Sequence, residues 1–181
     1  NNYEQQTVKL LGYDTRWPEL FEAEKTALGD IFAGADIQVE HIGSTAVPGM
    51  IAKPVIDIML GVVSLKIVDE CIDLLAAQGW FYVPQYEEAM PFRRFFLKCK
   101  SEGARSHHLH AVEYDGEFWQ RHIIFRDYLR THPGEAAAYS CFKQSLLAKN
   151  INKHKVYSEA KGDFIGAMEL RAELWHQASK G

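Results

Sequence analysis

The chain has 181 residues, of which 47% are hydrophobic and 24% are charged, and its formal net charge is −4 at pH 7. These values are typical of an ordinary globular protein, and the negative charge argues against nucleic acid as a partner. No apolar run is long enough to span a membrane and no signal peptide is recognisable, so we expect a cytoplasmic protein without membrane contact. Its three cysteines, Cys71, Cys99 and Cys141, form no C-x-x-C pair and are expected to be reduced thiols.

Strands and helices alternate in the first two thirds of the chain, and helices fill the rest. In chain order, we predict a strand over 8–11, a helix over 17–28, a strand over 37–42, a turn over 43–49, a strand over 55–63, a helix over 64–79, strands over 80–83, 92–98 and 107–112, and helices over 116–131, 135–150 and 154–179. This order predicts an α/β or α+β fold, with a mixed sheet flanked by helices and a helical C-terminal portion. We expect one domain over 1–181, with its core at about 8–113 and its C-terminal helices at about 116–179.

A Gly-Ser turn follows the strand predicted over 37–42. A glycine at position 43 allows a ligand to approach the backbone closely, and the N–H groups after it can point at phosphate. Ser44 and Thr45 add hydroxyl donors. Gly43, Ser44 and Thr45 are therefore candidate phosphate-binding residues, and a plain strand-to-helix connection is the alternative.

Asp57 interrupts the apolar run from Val55 to Leu60. A carboxylate in a buried strand must be protonated, paired with a cationic side chain or bound to a metal ion. We interpret Asp57 as a functional residue that binds a cation, and a structural ion pair with Lys53 or an arginine is the alternative. Lys53 is itself a candidate phosphate ligand.

Two histidines alternate on the strand predicted over 107–112. His108 and His110 share one face of that strand, with Leu109 on the other. Two imidazoles on one face indicate either a metal-binding pair or an acid–base pair, and structural histidines are the alternative. Joined to Asp57, they would form a site of two histidines and one carboxylate.

Cationic side chains are concentrated in the C-terminal part. Residues 91–161 contain 13 Lys/Arg against seven Asp/Glu, whereas residues 1–50 contain three against eight. This asymmetry favours a cationic rim that faces an anionic ligand, and solvated helix faces are the alternative. Arg126 and Lys161 are the candidates for contact with an anionic substrate, and the alternative for them is a snorkelling stem or an ion pair with Asp127 or Glu159.

Five motifs in order resemble one known family over about residues 8–170. They are Glu40-His41-Ile42-Gly43-Ser44-Thr45-Ala46-Val47-Pro48-Gly49, Lys53-Pro54-x-x-Asp57, His108-Leu109-His110, Phe125-Arg126-Asp127-Tyr128-Leu129-Arg130 and Tyr157-x-x-x-Lys161. Together they resemble the GrpB-like family, which is grouped with the nucleotidyltransferase superfamily of polymerase-β-like fold. Related domains also occur fused to dephospho-coenzyme A kinase.

The resemblance implies a nucleotidyltransferase-like fold in which carboxylates hold Mg²⁺ beside a nucleotide. Carried over, Gly43 and Ser44 would bind phosphate, and Asp57 would be the first metal ligand. The chain departs from the superfamily pattern at the second acidic position, which is Met59, and a thioether is a poor ligand for a hard cation. No carboxylate is placed for the third metal-binding role of the superfamily either, and His108 or His110 would stand there instead. The expected ion is Mg²⁺, with Mn²⁺ or Zn²⁺ as alternatives.

We therefore expect a protein that acts on or binds a nucleotide or another phosphate-bearing small molecule with a divalent metal ion. Two alternatives remain: a catalytically inactive nucleotide- or coenzyme-binding module, and a metal-dependent hydrolase. The predicted catalytic and metal-binding residues are Asp57, His108 and His110, and the predicted phosphate-binding residues are Gly43, Ser44, Thr45, Lys53, Arg126 and Lys161.

Overall fold

The structure, a computed structural model, describes residues 3–181 and is built around a five-stranded sheet. In spatial order the strands are β1, β2, β5, β4 and β3. Strands β2 and β5 are parallel and the other neighbours are antiparallel, so the predicted mixed sheet of an α+β fold is confirmed. The strands are β1 (Ile37–Ile42), β2 (Ile56–Val62), β3 (Phe81–Tyr82), β4 (Arg93–Cys99) and β5 (Arg105–Glu113).

Seven α-helices surround the sheet within residues 3–181. Short 3₁₀ helices at Tyr3–Gln5, Ser44–Ala46 and Pro84–Tyr86 complete the regular structure of this part. No helix in the described part of the chain combines the length and apolarity needed to cross a bilayer. The α-helices are α1 (Trp17–Ile31), α2 (Leu65–Glu70), α3 (Ile72–Ala77), α4 (Glu117–Thr131), α5 (Pro133–Ala148), α6 (His154–Ala160) and α7 (Gly162–Ala178).

Helices cover both faces of β2, which explains why this strand is almost continuously apolar. On one face, Ile58 and Leu60 are fully buried in a core that includes Leu28 of α1. On the other face, Met59 packs in a cluster that includes Phe118 of α4. Asp57 belongs to this second face, because alternate residues of a strand point to the same side.

A second core joins the C-terminal helices to the segment that follows β1. Val47 and Met50 pack with Tyr139 of α5 and Met168 of α7 in one buried cluster. Burying these apolar side chains holds α5 against the turn at 43–49. The C-terminal helices therefore contribute side chains to the surroundings of that turn.

Four predicted elements differ from the observed ones. Residues 8–11 form no strand of the sheet; only isolated bridges pair Thr7 with Lys153 and Leu11 with Ala52. The helix predicted over 64–79 breaks at Cys71, and the helix predicted over 154–179 breaks at Lys161. Helix α5 starts at Pro133 rather than Glu135, since proline lacks the N–H that a first helical residue would leave unbonded. The remaining bounds agree within three residues, and the single-domain assignment stays a prediction.

Candidate functional site

The Gly-Ser turn lies directly over Asp57 because of the sheet register. Ile42 at the end of β1 pairs with Asp57 near the start of β2, so Gly43 follows beside the carboxylate. Gly43 has φ +74° and ψ −176°, a combination that is essentially restricted to glycine. A Cβ atom at Gly43 would lie 2.8 Å from Asp57 Oδ2. The absence of a side chain at position 43 is therefore what leaves room for the Asp57 carboxylate.

Asp57 and the two histidines form one cluster, because β5 runs parallel to β2 with Asp57 opposite His108. His108 Nδ1 lies 3.2 Å and His110 Nε2 lies 3.4 Å from Asp57 Oδ1. Their potential metal-ligating atoms all lie within 4.8 Å of one another. The Asp57 side chain keeps 31% of its accessible surface, so the cluster is open to a ligand.

In each of the two histidines, an arginine faces the ring nitrogen that points away from Asp57. Arg93 Nη1 donates to Nδ1 of His110 at 3.2 Å, and Arg105 Nη1 donates to Nε2 of His108 at 3.4 Å. A guanidinium can only donate, so these ring nitrogens act as acceptors, and in a neutral imidazole the proton then lies on the side of Asp57. Asp57 Oδ1 is therefore positioned to accept from both rings.

The ionisation of the cluster follows from this arrangement. Burial alone would raise the pKa of Asp57, but the contacts with His108 and His110 hold it well below its usual range. Burial lowers the pKa of His110, although Asp57 opposes that effect. At neutral pH the site therefore presents a carboxylate beside a neutral His110 ring.

Arg93 and Arg105 limit the ability of His110 and His108 to bind a metal ion. A ligating histidine presents a lone pair to the ion and donates its other N–H to an acceptor. Here the other ring nitrogen of His108 and of His110 faces a guanidinium, which cannot accept. In this arrangement only the carboxylate oxygens of Asp57 fit a cation, and ligation by the histidines would require Arg93 and Arg105 to move.

A cavity of about 170 Å³ lies between Asp57, the Gly-Ser turn and the C-terminal helices. Three lysines from separate parts of the chain converge on it: Lys53 before β2, Lys143 on α5 and Lys161 between α6 and α7. Its lining residues are Gly43, Ser44, Thr45, Ala52, Lys53, Val55, Asp57, His108, Tyr139, Lys143, Tyr157 and Lys161.

The three lysines carry positive charge that nearby carboxylates do not neutralise. No ion pair joins any of their ammonium groups to an acidic side chain within residues 3–181. Burial, together with the positive charges of Lys161 and Lys53, lowers the pKa of Lys143 to about 7. Burial also lowers the pKa of Lys161 to about 8, with Lys53 adding to the effect and Asp57 opposing it. The cavity thus favours an anion.

Several hydrogen-bond donors in the cavity lack a protein partner. Tyr157 is fully buried, and its hydroxyl finds no partner among residues 3–181. In the same part of the chain, the backbone N–H groups of Ser44 and Thr45 have no acceptor. The Thr45 hydroxyl is occupied, because it contacts Nε2 of His41 at 2.9 Å and donates to the Val55 carbonyl. Thr45 therefore offers its backbone N–H to a ligand rather than its side chain.

The structure corrects the assignment of Arg126 to the phosphate site. Arg126 does not line this cavity; its side chain is bonded to Glu40 at 2.5 Å, to Asp127 at 2.9 Å and to the carbonyl of His41. It borders a larger cavity of about 620 Å³ on the other side of the turn. The smaller cavity is the better candidate site, because the charge of Arg126 is already neutralised in the larger one.

Two further residues of the cavity were not predicted from the sequence. Tyr139 and Lys143 are four residues apart and so share one face of α5, a spacing that does not show what this face contacts. Lys143 Nζ lies 4.6 Å from the ring centroid of Tyr139, and Lys161 Nζ lies 4.7 Å from that of Tyr157. The repeated Tyr-x-x-x-Lys spacing is the sequence signal that links the two pairs.

Comparisons with known proteins agree with this architecture. Residues 7–171 match the sequence family described as GrpB protein. The chain is 35% identical to UPF0157 protein YqkA of Bacillus subtilis over 96% of its own length but only about half (49%) of YqkA. It is 37% identical to a dephospho-CoA kinase of Mycobacterium bovis, over 94% of this chain and 47% of the kinase. The crystal structure of the conserved protein GrpB from Enterococcus faecalis is similar, with a TM-score of 0.83, 33% identity, and coverage of 92% of this chain and 99% of that one.

Proposed function

This chain belongs to the GrpB family, and we propose that it binds the phosphate group of a nucleotide or another small molecule in the cavity beside Asp57. The observation that carries the proposal is the convergence of Lys53, Lys143 and Lys161 without a carboxylate partner in the described part of the chain. Like charges held together in a partly buried cavity destabilise the fold unless an anion joins them. A phosphate group supplies that anion and accepts hydrogen bonds from the ammonium groups and from the free N–H groups of the turn.

The size of the cavity supports a single phosphate group rather than a whole ligand. Its volume of about 170 Å³ is below the roughly 300–1,000 Å³ usual for complete small-molecule sites. An adjoining cavity of about 350 Å³ shares Lys53 and Val55 with it and is also lined by Tyr3, Arg105 and His154. We infer that the rest of the ligand extends into this second cavity.

We propose Mg²⁺ as the accompanying ion, held by Asp57 together with phosphate oxygens of the ligand. Mg²⁺ takes oxygen ligands and is usually bound through one or two carboxylates plus substrate phosphates. Bound there, it would neutralise phosphate charge and polarise the P–O bonds. Mn²⁺ or Zn²⁺ on the histidines is less well supported, because His108 and His110 face arginines. The same contacts weigh against a hydrolase in which these histidines hold the metal.

A second candidate function is a binding module without turnover, and Met59 favours it. Met59 is fully buried in an apolar cluster with Ile42 and Val112, on the same face of the sheet as Asp57. The position of a second metal-binding carboxylate is therefore occupied by core packing. In that case the ligand is bound but not converted, and the likeness to a dephospho-CoA kinase makes coenzyme A precursors candidates for it.

Ligand-induced thermal shift, followed by calorimetry, tests the proposal. ATP, AMP, dephospho-coenzyme A and inorganic phosphate are each titrated with and without Mg²⁺. We expect Lys161→Met to abolish the shift, while the exposed Lys149→Met at the end of α5 leaves it unchanged. Asp57→Asn should remove the Mg²⁺-dependent part alone. The proposal fails if none of these ligands shifts the wild-type protein, or if Lys161→Met binds as the wild type does.

A further inference from the structure

Ser44 and Lys143 form a close pair that phosphate binding alone does not require. Lys143 is 2% exposed, and its Nζ lies 3.0 Å from Ser44 Oγ. The carbonyl of Ile51 accepts a second hydrogen bond from the same Nζ and holds it in place. This fixed contact leaves the amine beside the serine hydroxyl, within the distance over which a general base can take up a proton.

We propose that Ser44 and Lys143 are a nucleophile and its general base, and that Ser44 takes up a phosphorus group from a phosphoanhydride bound in this cavity. The inference rests on the proposed function, because the ligand must place a phosphate beside Ser44. It adds a covalent step on this chain's own serine to that function. Serine activated by a neighbouring lysine is a known form of nucleophilic catalysis.

Ser44 is better suited to this role than the hydroxyl beside it. Ser44 is partly exposed to the cavity, and the amine of Lys143 lies next to its oxygen. Thr45 is 2% exposed, and its hydroxyl is already engaged by His41 and by the carbonyl of Val55. The two adjacent hydroxyls are therefore not equivalent, and only that of Ser44 is free to attack.

The surroundings of Lys143 favour a neutral amine before the reaction and a protonated one after it. Burial and the charges of Lys161 and Lys53 lower the pKa of Lys143 to about 7, so a substantial fraction of the amine is unprotonated near neutral pH. A bound polyanion raises the pKa of Lys143, so it lowers the neutral fraction of the amine in the complex and stabilises the protonated form that proton transfer from Ser44 produces. The neutral fraction is the form that acts as the base.

The proposed step balances without a further co-reactant. Lys143 Nζ takes the proton of the Ser44 hydroxyl, and Oγ forms a bond to phosphorus. The anhydride P–O bond breaks, and its electron pair leaves with the departing group, which is the nucleoside diphosphate when a phosphoryl group is transferred and diphosphate when a nucleotidyl group is transferred; neither needs a proton. The lysines of the cavity stabilise the negative charge that accumulates during transfer. The products are a phosphoryl or nucleotidyl ester of Ser44 and the leaving group.

Mass spectrometry of the intact protein tests this inference. The full chain is incubated with ATP and quenched in acid, and the adduct is mapped by peptide analysis while release of ADP and of diphosphate is followed in parallel. We expect a mass increase of one phosphoryl group or one adenylyl group on Ser44, and the two masses show which phosphorus is attacked. Ser44→Ala should form no adduct, whereas Ser145→Ala, a serine of α5 whose hydroxyl bonds only to the carbonyl of Phe142, should react as the wild type does.

Lys143→Arg separates a base from a simple phosphate ligand. Arginine keeps the positive charge but does not lose its proton at neutral pH, so ATP binding should persist while adduct formation falls by about 100-fold or more. ATP binding with neither an adduct nor release of ADP or diphosphate would overturn the inference and leave the proposed function intact. An adduct on another residue, or an unchanged rate in Lys143→Arg, would overturn it as well. Absence of any phosphate binding would reject both.

Discussion

The replacement of Gly43 by alanine tests the geometry on which the whole site depends. Gly43 combines φ +74° with ψ −176°, and holding a residue with a Cβ in that region costs about 1–3 kcal/mol. The new Cβ would also lie 2.8 Å from Oδ2 and 3.2 Å from Cβ of Asp57. Asp57 cannot retreat easily, because β1 and β5 pair with β2 on either side of it. Overpacking of this kind adds about 1–3 kcal/mol.

We therefore expect Gly43→Ala to lower the free energy of unfolding by about 2–6 kcal/mol. For a chain of this size, each 1 kcal/mol corresponds to roughly 2–4 °C in Tm. Denaturation in urea measures the change directly. Because the substitution displaces either the turn or the Asp57 carboxylate, phosphate binding should be lost even where the protein stays folded.

Gly49→Ala is the matched control. Gly49 also has a positive φ, of +80°, but a Cβ there would meet nothing within 4 Å. It should therefore lose only about 1–2 kcal/mol, from the left-handed backbone, and keep phosphate binding. Equal losses of stability in Gly43→Ala and Gly49→Ala would show that the contact with Asp57 is not tight, and retained ligand binding in Gly43→Ala would refute the site itself.

Three further predictions follow from the charges around the site. Arg126→Met should destabilise the fold by about 1–3 kcal/mol in urea denaturation, because it leaves Glu40 unpaired. The same variant should change phosphate affinity less than two-fold, and a large loss of affinity would show that Arg126 contacts the ligand. Arg93→Met should strengthen Zn²⁺ binding in calorimetry, because the ring that Arg93 faces is then free to ligate; unchanged affinity would show that the arginine does not block the metal. In phosphate-free buffer, the free energy of unfolding should rise from pH 7 to about pH 9. The reason is that the pKa values of Lys143 and Lys161 are about 7 and 8 in the folded chain but about 10.4 in the unfolded one, so the unfolded chain binds more protons in this range. The double variant Lys143→Met, Lys161→Met should show a smaller rise.

Local sequence patterns were sufficient to predict the site residues that lie on individual strands. The alternation of His108 and His110 placed both rings on one face, and an acid within an apolar run marked Asp57. Their proximity depends on β2 and β5 being neighbours, although 42 residues separate the two strands along the chain. That adjacency is a long-range property of the sheet, which strand periodicity does not contain.

The contribution of the C-terminal helices was not predictable in the same way. Lys143 reaches Ser44 because Val47 and Met50 pack with Tyr139 and so hold α5 over the turn. Helical spacing shows that Tyr139 and Lys143 share a face but not what that face meets. Arg126 illustrates the opposite error: its spacing fitted an anion site, whereas Glu40 had already neutralised it. Charge patterns in a sequence identify cations, and only the tertiary structure shows which remain unpaired.

The balance of charge around the cavity indicates how ligand and metal should depend on each other. Three lysines line the cavity, and Arg105 and Arg93 lie behind the histidines, against the single carboxylate of Asp57 in the cavity lining. A divalent cation alone would add positive charge to a site that already has an excess, so Mg²⁺ should bind weakly until a phosphate arrives. Once a polyphosphate is bound, its oxygens supply the further ligands that Asp57 alone does not provide. Ligand and Mg²⁺ should therefore bind cooperatively and by the same factor in either order, and tight Mg²⁺ binding to the ligand-free protein would contradict this view of the site.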